Sequence, residues 1–493
     1  MRSKSPRTRE PRKVGARPSL GALASLVGFL TFVEFVSGFI QGYYVPMMSD
    51  IARHLHITDA DVNWLEGSQL MLSVLAVPAL AKLGDMVGPK RILLWATAIT
   101  AVTTLALAFT DSFPLFFAAW TLQGVYVVWL PLEIALIWSR SRGMESRAAV
   151  TARAAGLLVA ALEVGAISGA LLGGAFIDAL PLFVVFLVPG LLVTASFFVI
   201  LGGVAESRLR TGGRFDYVGL CLISFALLAF TGGLSLLRLN GFGSPLPWLV
   251  SVLGLLLVIP FVRWELRQHD PLIDVRLFRS PALAPVFVTA ALFGMSVLGA
   301  QAPLSTFLRT DPEVYGYGLG TKGFTTSLVV GLYLIAMMIG ALCYSRVARL
   351  VTPRRTLAAA TVLVGTGFLL MLPFHGSLLQ VITNFVITGA GAGALIAALP
   401  SAAAAGAPSN RTSVATGLTN SSKTLGGAIA SAIFGIALLQ GSTGAGSGGT
   451  AGSFEGYITV WLTCSLSAFL ATAVLLFIVP KSAFQDRAPA PSE

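Results

Sequence analysis

The 493-residue chain is 55% hydrophobic and only 11% charged, with a mean hydropathy of +0.82, which is too apolar for a soluble domain of this length. Its net charge of +11 does not point to nucleic acid, because the basic residues gather at the ends of apolar runs, where they set orientation in a bilayer. The three cysteines, Cys221, Cys343 and Cys464, fall inside apolar runs and read as small packing residues, not as a disulfide framework or a metal site.

Residues 1–19 form a basic, polar tail without a credible signal-peptide cleavage site. Fourteen apolar runs follow, each near the ~20 residues that cross a bilayer core as a helix. They lie at about 20–45, 61–82, 92–110, 113–137, 153–177, 181–203, 217–237, 246–264, 283–305, 325–346, 355–374, 378–402, 414–439 and 457–480. If the first residues are inside, 28 of the 33 Lys and Arg fall on the inner side and 4 on the outer side, with Lys423 within a span. That bias predicts a multi-pass protein of the cell membrane with both termini cytoplasmic.

The first span carries Glu34, Ser37, Gly38 and Gln41, spaced as one polar stripe on a helix. An acid at mid-bilayer costs about 3 kcal/mol on insertion scales, so such residues are rarely idle. Glu34 is therefore the first candidate for carrying a proton. Glu163 in the fifth span and Glu133 in the fourth are the second and third. Glu66, at the start of the second span, reads as a complement to the helix N-terminal dipole. The ninth to fourteenth spans hold no acid and, apart from Arg346 and Arg355 at span ends, one charge, Lys423, which would either face an acid across a cavity or reach toward the cytoplasmic surface. Candidate cavity residues are Ser37, Gln41, Tyr44, Trp120, Gln123, Tyr126, Trp129 and Lys423, the rings among them suited to holding lipophilic cations.

Between the second and third spans the chain reads AKLGDMVGPKR, residues 81–91. Asp85, Gly88, Lys90 and Arg91 match the signature loop Gly-x-x-x-Asp-x-x-Gly-x-Lys-Arg, with Ala81 and Met86 departing from it. The fifth span reads GLLVAALEVGAISGALLGG. Gly156, Gly165, Gly169, Gly173 and Gly174 match a glycine pattern in which Ala170 replaces a proline. Small residues four apart let another helix approach closely. On these motifs the chain resembles the major facilitator superfamily, in its fourteen-helix drug–proton antiporter branch. Residues 43–55, 261–281 and 415–435 are similar to that branch as well.

The resemblance implies an all-α membrane protein of the major facilitator fold, with two six-helix halves plus two extra helices. The halves would be residues 20–203 and 283–480, the inserted pair and its linkers 204–282, and the last tail 481–493. It implies a monomer that exports small amphipathic drugs or natural products in exchange for protons by alternating access. The loop around Asp85 would be a conformational latch and the five glycines a helix-packing motif. Two departures bear on coupling: Ser37 stands where the branch has an Asp, and Trp120 where it has an Arg. They keep open a lipid or metabolite transporter with weak or no proton coupling; a non-transporting scaffold is the remaining alternative. No Gly-x4-Gly-Lys-Ser/Thr loop is present, so an ATP-driven or other enzymatic role is not expected. The four histidines, His54, His56, His269 and His375, suggest no metal site, and no cofactor is expected.

Overall fold

In the computed structural model the described residues are 20–141, 147–206, 214–241, 243–407, 411–440 and 451–479. The two terminal tails and most of the linker 440–456 lie outside them. The described chain is helical. The first half runs α1 (Leu20–Tyr43), α2 (Met48–His54), α3 (Val62–Val87), α4 (Pro89–Ala108), α5 (Phe113–Gln123), α6 (Trp129–Arg140), α7 (Arg147–Ala179) and α8 (Leu182–Gly203). Then come α9 (Tyr217–Asn240) and α10 (Pro245–Glu265). The rest is α11 (Ala284–Val297), α12 (Gln301–Arg309), α13 (Pro312–Tyr315), α14 (Gly323–Leu350), α15 (Pro353–Leu370), α16 (Leu378–Gly406), α17 (Thr412–Leu439) and α18 (Phe454–Ala473).

Among the described residues, twelve helices are long and apolar enough to cross a membrane, so the protein is a multi-pass membrane protein. This falls short of the fourteen expected. The difference lies in α1, whose side chains are described only from residue 27, and in α15, whose 18 residues open on Pro353, Arg354 and Arg355 and so lack an uninterrupted apolar run. Two expected spans are not continuous helices. The fourth breaks into a 3₁₀ turn at Gly124–Val128 between α5 and α6. The ninth breaks at residues 298–300, between α11 and α12.

The buried apolar residues form two large cores. One is built from residues between Val27 and Val204, joined by Ala302. The other runs from Leu277 to Val479, joined by Ala60. The pair α9 and α10 pack on each other and touch both halves through Met71, Val74, Ile223, Leu227, Phe261 and Ala428.

Where one half meets the other can be stated from named contacts. Helices α1 and α7 run parallel, since Phe35, Phe39 and Tyr43 meet Gly165, Gly169 and Gly173 in ascending order. The face on which α1 ends is called the far face here, and the face on which it begins the near face. On the far face Gly174 of α7 meets Gly323 and Ser327 of α14. Asp178 accepts from the backbone N–H groups of Gly323 and Phe324, at 3.0 and 2.8 Å, satisfying donors that the first turn of α14 leaves open. Arg309, in the last turn of α12, pairs with Asp50 of α2 at 2.5 Å. Gly67 of α3 lies against Ser431 of α17, and Gly435 against Trp64. These contacts clamp the halves together toward the far face.

Candidate functional site: a polar cavity between the halves

Beneath that clamp lies a narrow cavity of about 50 Å³. The two broken spans border it. Gln123 and Tyr126 come from the first break, and Leu298 and Gln301 from the second. A helix that breaks at mid-membrane exposes backbone donors and acceptors, and this is tolerated only where protein or a cavity receives them.

Five of the predicted cavity residues line it: Gln41, Tyr44, Trp120, Gln123 and Tyr126. Gln123 is fully buried and organises the wall. Its Nε2 donates to Thr104 Oγ1 at 2.9 Å and reaches the Tyr44 hydroxyl at 3.5 Å. Its Oε1 accepts from Gln69 Nε2 at 3.1 Å. Tyr44 meets Trp120 edge-on, with ring centroids 4.9 Å apart. The result is an aromatic wall with amide groups between the rings.

Three predicted cavity residues stand elsewhere. Trp129 is fully buried and packs edge-on against Tyr126. Ser37 is buried beside Glu34. Lys423 lies half-buried on α17, within electrostatic reach of Glu163 on α7. The expected stripe on α1 also divides. Gln41 opens to the cavity, whereas Gly38 is pressed onto the Leu162 backbone.

Sequence reasoning missed Glu66. It is not an exposed dipole partner; it is 7% exposed and lines the cavity. Its carboxylate faces the Ala302 backbone N–H at the start of α12, and Oε2 has no partner. A helix N-terminus presents open N–H groups and a partial positive charge, which suits an anion. Gln69, three residues on, lines the same wall. That i, i+3 spacing of two polar residues on an apolar helix was the available signal.

Glu34 and Glu133 lie behind the cavity wall. Both are fully buried, they interact electrostatically, and no carboxylate oxygen of either has a hydrogen-bond partner. Glu163 sits apart, facing Lys423 and Tyr333 across the boundary between the halves, with its Oε2 unpartnered. The three acids proposed from the sequence thus divide into two that interact electrostatically with each other and one within electrostatic reach of the other half.

The glycine-rich helix is a two-sided zipper. A Cβ at Gly165, Gly169 or Gly173 would strike the α1 backbone, and one at Gly38 or Gly42 would strike the α7 backbone at Leu162 or Ala166. Gly174 faces α14 instead. Gly156 has nothing within 4 Å of where its Cβ would sit, so it takes no part in the close approach.

The near-face loop is built around an acid not foreseen for it. Gly88 has φ +125°, a conformation side chains disfavour, and a Cβ there would lie 2.9 Å from the Glu206 carboxyl. Glu206 accepts from the backbone N–H groups of Lys90 at 3.1 Å and Arg91 at 3.2 Å, capping the start of α4. Lys90 Nζ donates to the Leu201 carbonyl. Lys82 Nζ binds the Asp270 and Pro271 carbonyls beyond α10, so the loop is tied to the inserted pair. Asp85 stands in the last turn of α3.

The family model described as Major Facilitator Superfamily matches residues 30–431. The chain belongs to the Major Facilitator Superfamily. It is therefore a member of a transporter family. It is 27% identical to the cephamycin export protein CmcT of Amycolatopsis lactamdurans over 462 residues, covering 91% of this chain and 90% of that one. It is 26% identical to the multidrug efflux pump LfrA of Mycolicibacterium smegmatis over 371 residues, covering 74% and 71%. The solved structure of the nucleoside transporter NupG superposes with a TM-score of 0.65 at 12% identity, over 92% of this chain and 99% of that one. This last likeness concerns the fold alone.

Proposed function

We propose that this protein is a proton-coupled secondary exporter of amphipathic drugs or natural products, working by alternating access from the cell membrane. The observation that carries this reading is a polar, aromatic cavity between two halves clamped at one face, with two unpaired carboxyl groups buried behind its wall. An unpaired carboxylate in an apolar interior is costly, and two side by side are costlier. The Glu34–Glu133 pair therefore holds a proton while the cavity is closed off, and gives it up when water reaches it. Glu163 and Lys423 make a second charged contact that parts or forms as the halves rock. The names of CmcT and LfrA support an exported, membrane-permeant cargo.

In the same reading the far face is the outer one, both termini are cytoplasmic, and α1 and α15 also cross the bilayer to complete fourteen spans. Residues 20–203 and 283–480 then move as two bodies, with the inserted pair riding between them, and the working unit is the monomer. The clamped far face fits an outward-closed stage of that cycle. The glycine zipper keeps α1 on α7, and the loop around Gly88 latches the near face when that side closes.

Ser37 and Trp120 favour a second reading, in which a lipid or metabolite moves with weak or no proton coupling. The two are separated in proteoliposomes carrying a pH-sensitive dye, given a proton gradient and a panel of lipophilic cations, neutral antibiotics and lipids. The first reading expects at least one compound to collapse the gradient in the wild type and not in Glu34→Gln. Transport without proton movement in the wild type supports the second, and full proton-linked transport in Glu34→Gln removes that acid from the coupling path.

A further inference from the structure

At the far face, one carboxyl group stands apart from the cavity and from every role assigned above. Asp59 lies in the short segment between α2 and α3 and is 4% exposed. Its Oδ1 has no hydrogen-bond partner. From α2 it is faced by the Ser49 hydroxyl, Asp50 and Arg53, and from α12 by Arg309. Tyr317, before α14, and Tyr457 of α18 complete its surroundings. Arg309, Tyr317 and Tyr457 all belong to the second half, so the closure of the halves contributes to covering Asp59. The neighbouring Asp50 is already taken up by Arg53 and Arg309, so neither guanidinium is free to neutralise Asp59 fully.

We propose that the Asp59 carboxyl is a proton site of the far-face gate, filled when the halves close over it and emptied when they part. Burial drives the effect. In the closed arrangement, desolvation lifts the carboxyl from its usual 3.8 to about 7, against the opposing pull of Ser49, Arg53 and Arg309. Once the halves separate, water reaches it and it returns to the ordinary carboxylate range. Closure therefore takes up a proton. The sign follows from linkage: the proton's contribution to closure is complete below about pH 4, falls as pH rises, and is gone above about pH 7. Between those limits one proton changes the closed-to-open ratio about tenfold per pH unit. Acid on the outer side thus favours resealing after cargo has left, and this site would act separately from Glu34 and Glu133.

The proposal rests on the reading that the halves separate at the far face, and the test keeps the two apart. Exposed Ser112 and Val314 flank the face from opposite halves. Ser112→Cys and Val314→Cys, spin-labelled with the three native cysteines replaced by alanine, report the gap by double electron–electron resonance in nanodiscs from pH 4 to pH 8. The wild type is expected to shift from short to long distances as pH rises, with the tenfold-per-unit slope. Asp59→Asn, which keeps the shape and cannot ionise, is expected to stay short throughout. Asp178→Ala removes one of the far-face clamp contacts and is expected to lengthen the gap at every pH while keeping the slope; it also shows that the labels read gate opening. An unchanged slope in Asp59→Asn overturns the proposal. A single fixed distance in all three proteins overturns the separation of the halves, and the proposal with it.

Discussion

Replacing Gly156 and Gly169 separately by alanine sets two glycines of one motif against each other. At Gly169 the new Cβ would overlap the Phe39 carbonyl oxygen and lie 3.0 Å from its carbonyl carbon and Cα, where ordinary carbon contacts sit at about 3.5–4.0 Å. Helices α1 and α7 must then part by about half an ångström or more along a contact zipped at five glycines. Overpacking of this kind costs about 1–3 kcal/mol. At Gly156 the Cβ meets nothing within 4 Å, and alanine removes glycine's helix penalty of about 1 kcal/mol. The two substitutions should therefore differ in sign, by about 2–4 kcal/mol in all. Thermal unfolding of the purified variants in one detergent reads the difference, and export by cells reads its consequence, with loss expected for Gly169→Ala and none for Gly156→Ala. Equal behaviour of the two would refute the argument that backbone approach, and not the motif as a whole, sets the role of these glycines.

Glu34→Gln and Glu133→Gln should each leave a folded, monodisperse protein and lower proton-linked transport at least tenfold; unchanged exchange in either one would release it from the pair. Glu66→Gln should weaken binding of tetraphenylphosphonium at least tenfold relative to a neutral antibiotic, because among the described residues the cavity then has no acid left to pair with a cation; an unchanged ratio by calorimetry would mean that the Glu66 carboxylate serves α12 alone. Gly88→Ala should destabilise the near-face loop by about 1–3 kcal/mol, from the left-handed φ and the crowding of Glu206. Hydrogen exchange at the Lys90 and Arg91 amides should quicken accordingly, and unaltered protection there would contradict the capping role given to Glu206. The pH dependence of the far-face gap completes the set.

Membrane class, helical content and family were legible in the residues themselves. Apolar runs of bilayer length leave helices as the fitting structure, since lipid offers no partner for open backbone groups. The loop at Asp85, Gly88, Lys90 and Arg91 and the glycines of the fifth span carry local geometry that survives without context: a left-handed turn and a smooth helix face. Three acids were legible as anomalies, because charge in an apolar run is conspicuous. Their grouping was not. That Glu34 comes within electrostatic reach of Glu133, and Glu163 of Lys423, depends on which helices become neighbours, which periodicity along one helix does not specify. Glu66 was misread for the same reason. At a helix start an acid looks like a dipole partner, and only the arrival of the broken helix α12 from the other half encloses it. The breaks themselves, at Gly124–Val128 and residues 298–300, were invisible among apolar residues, since an apolar run reads the same whether its helix is whole or interrupted. Asp59 is the extreme case. In sequence it is a polar residue in a short loop; the docking of two halves makes it a buried acid. Local chemistry follows from the residue order, whereas burial, pairing and access to water are properties of the assembled bundle.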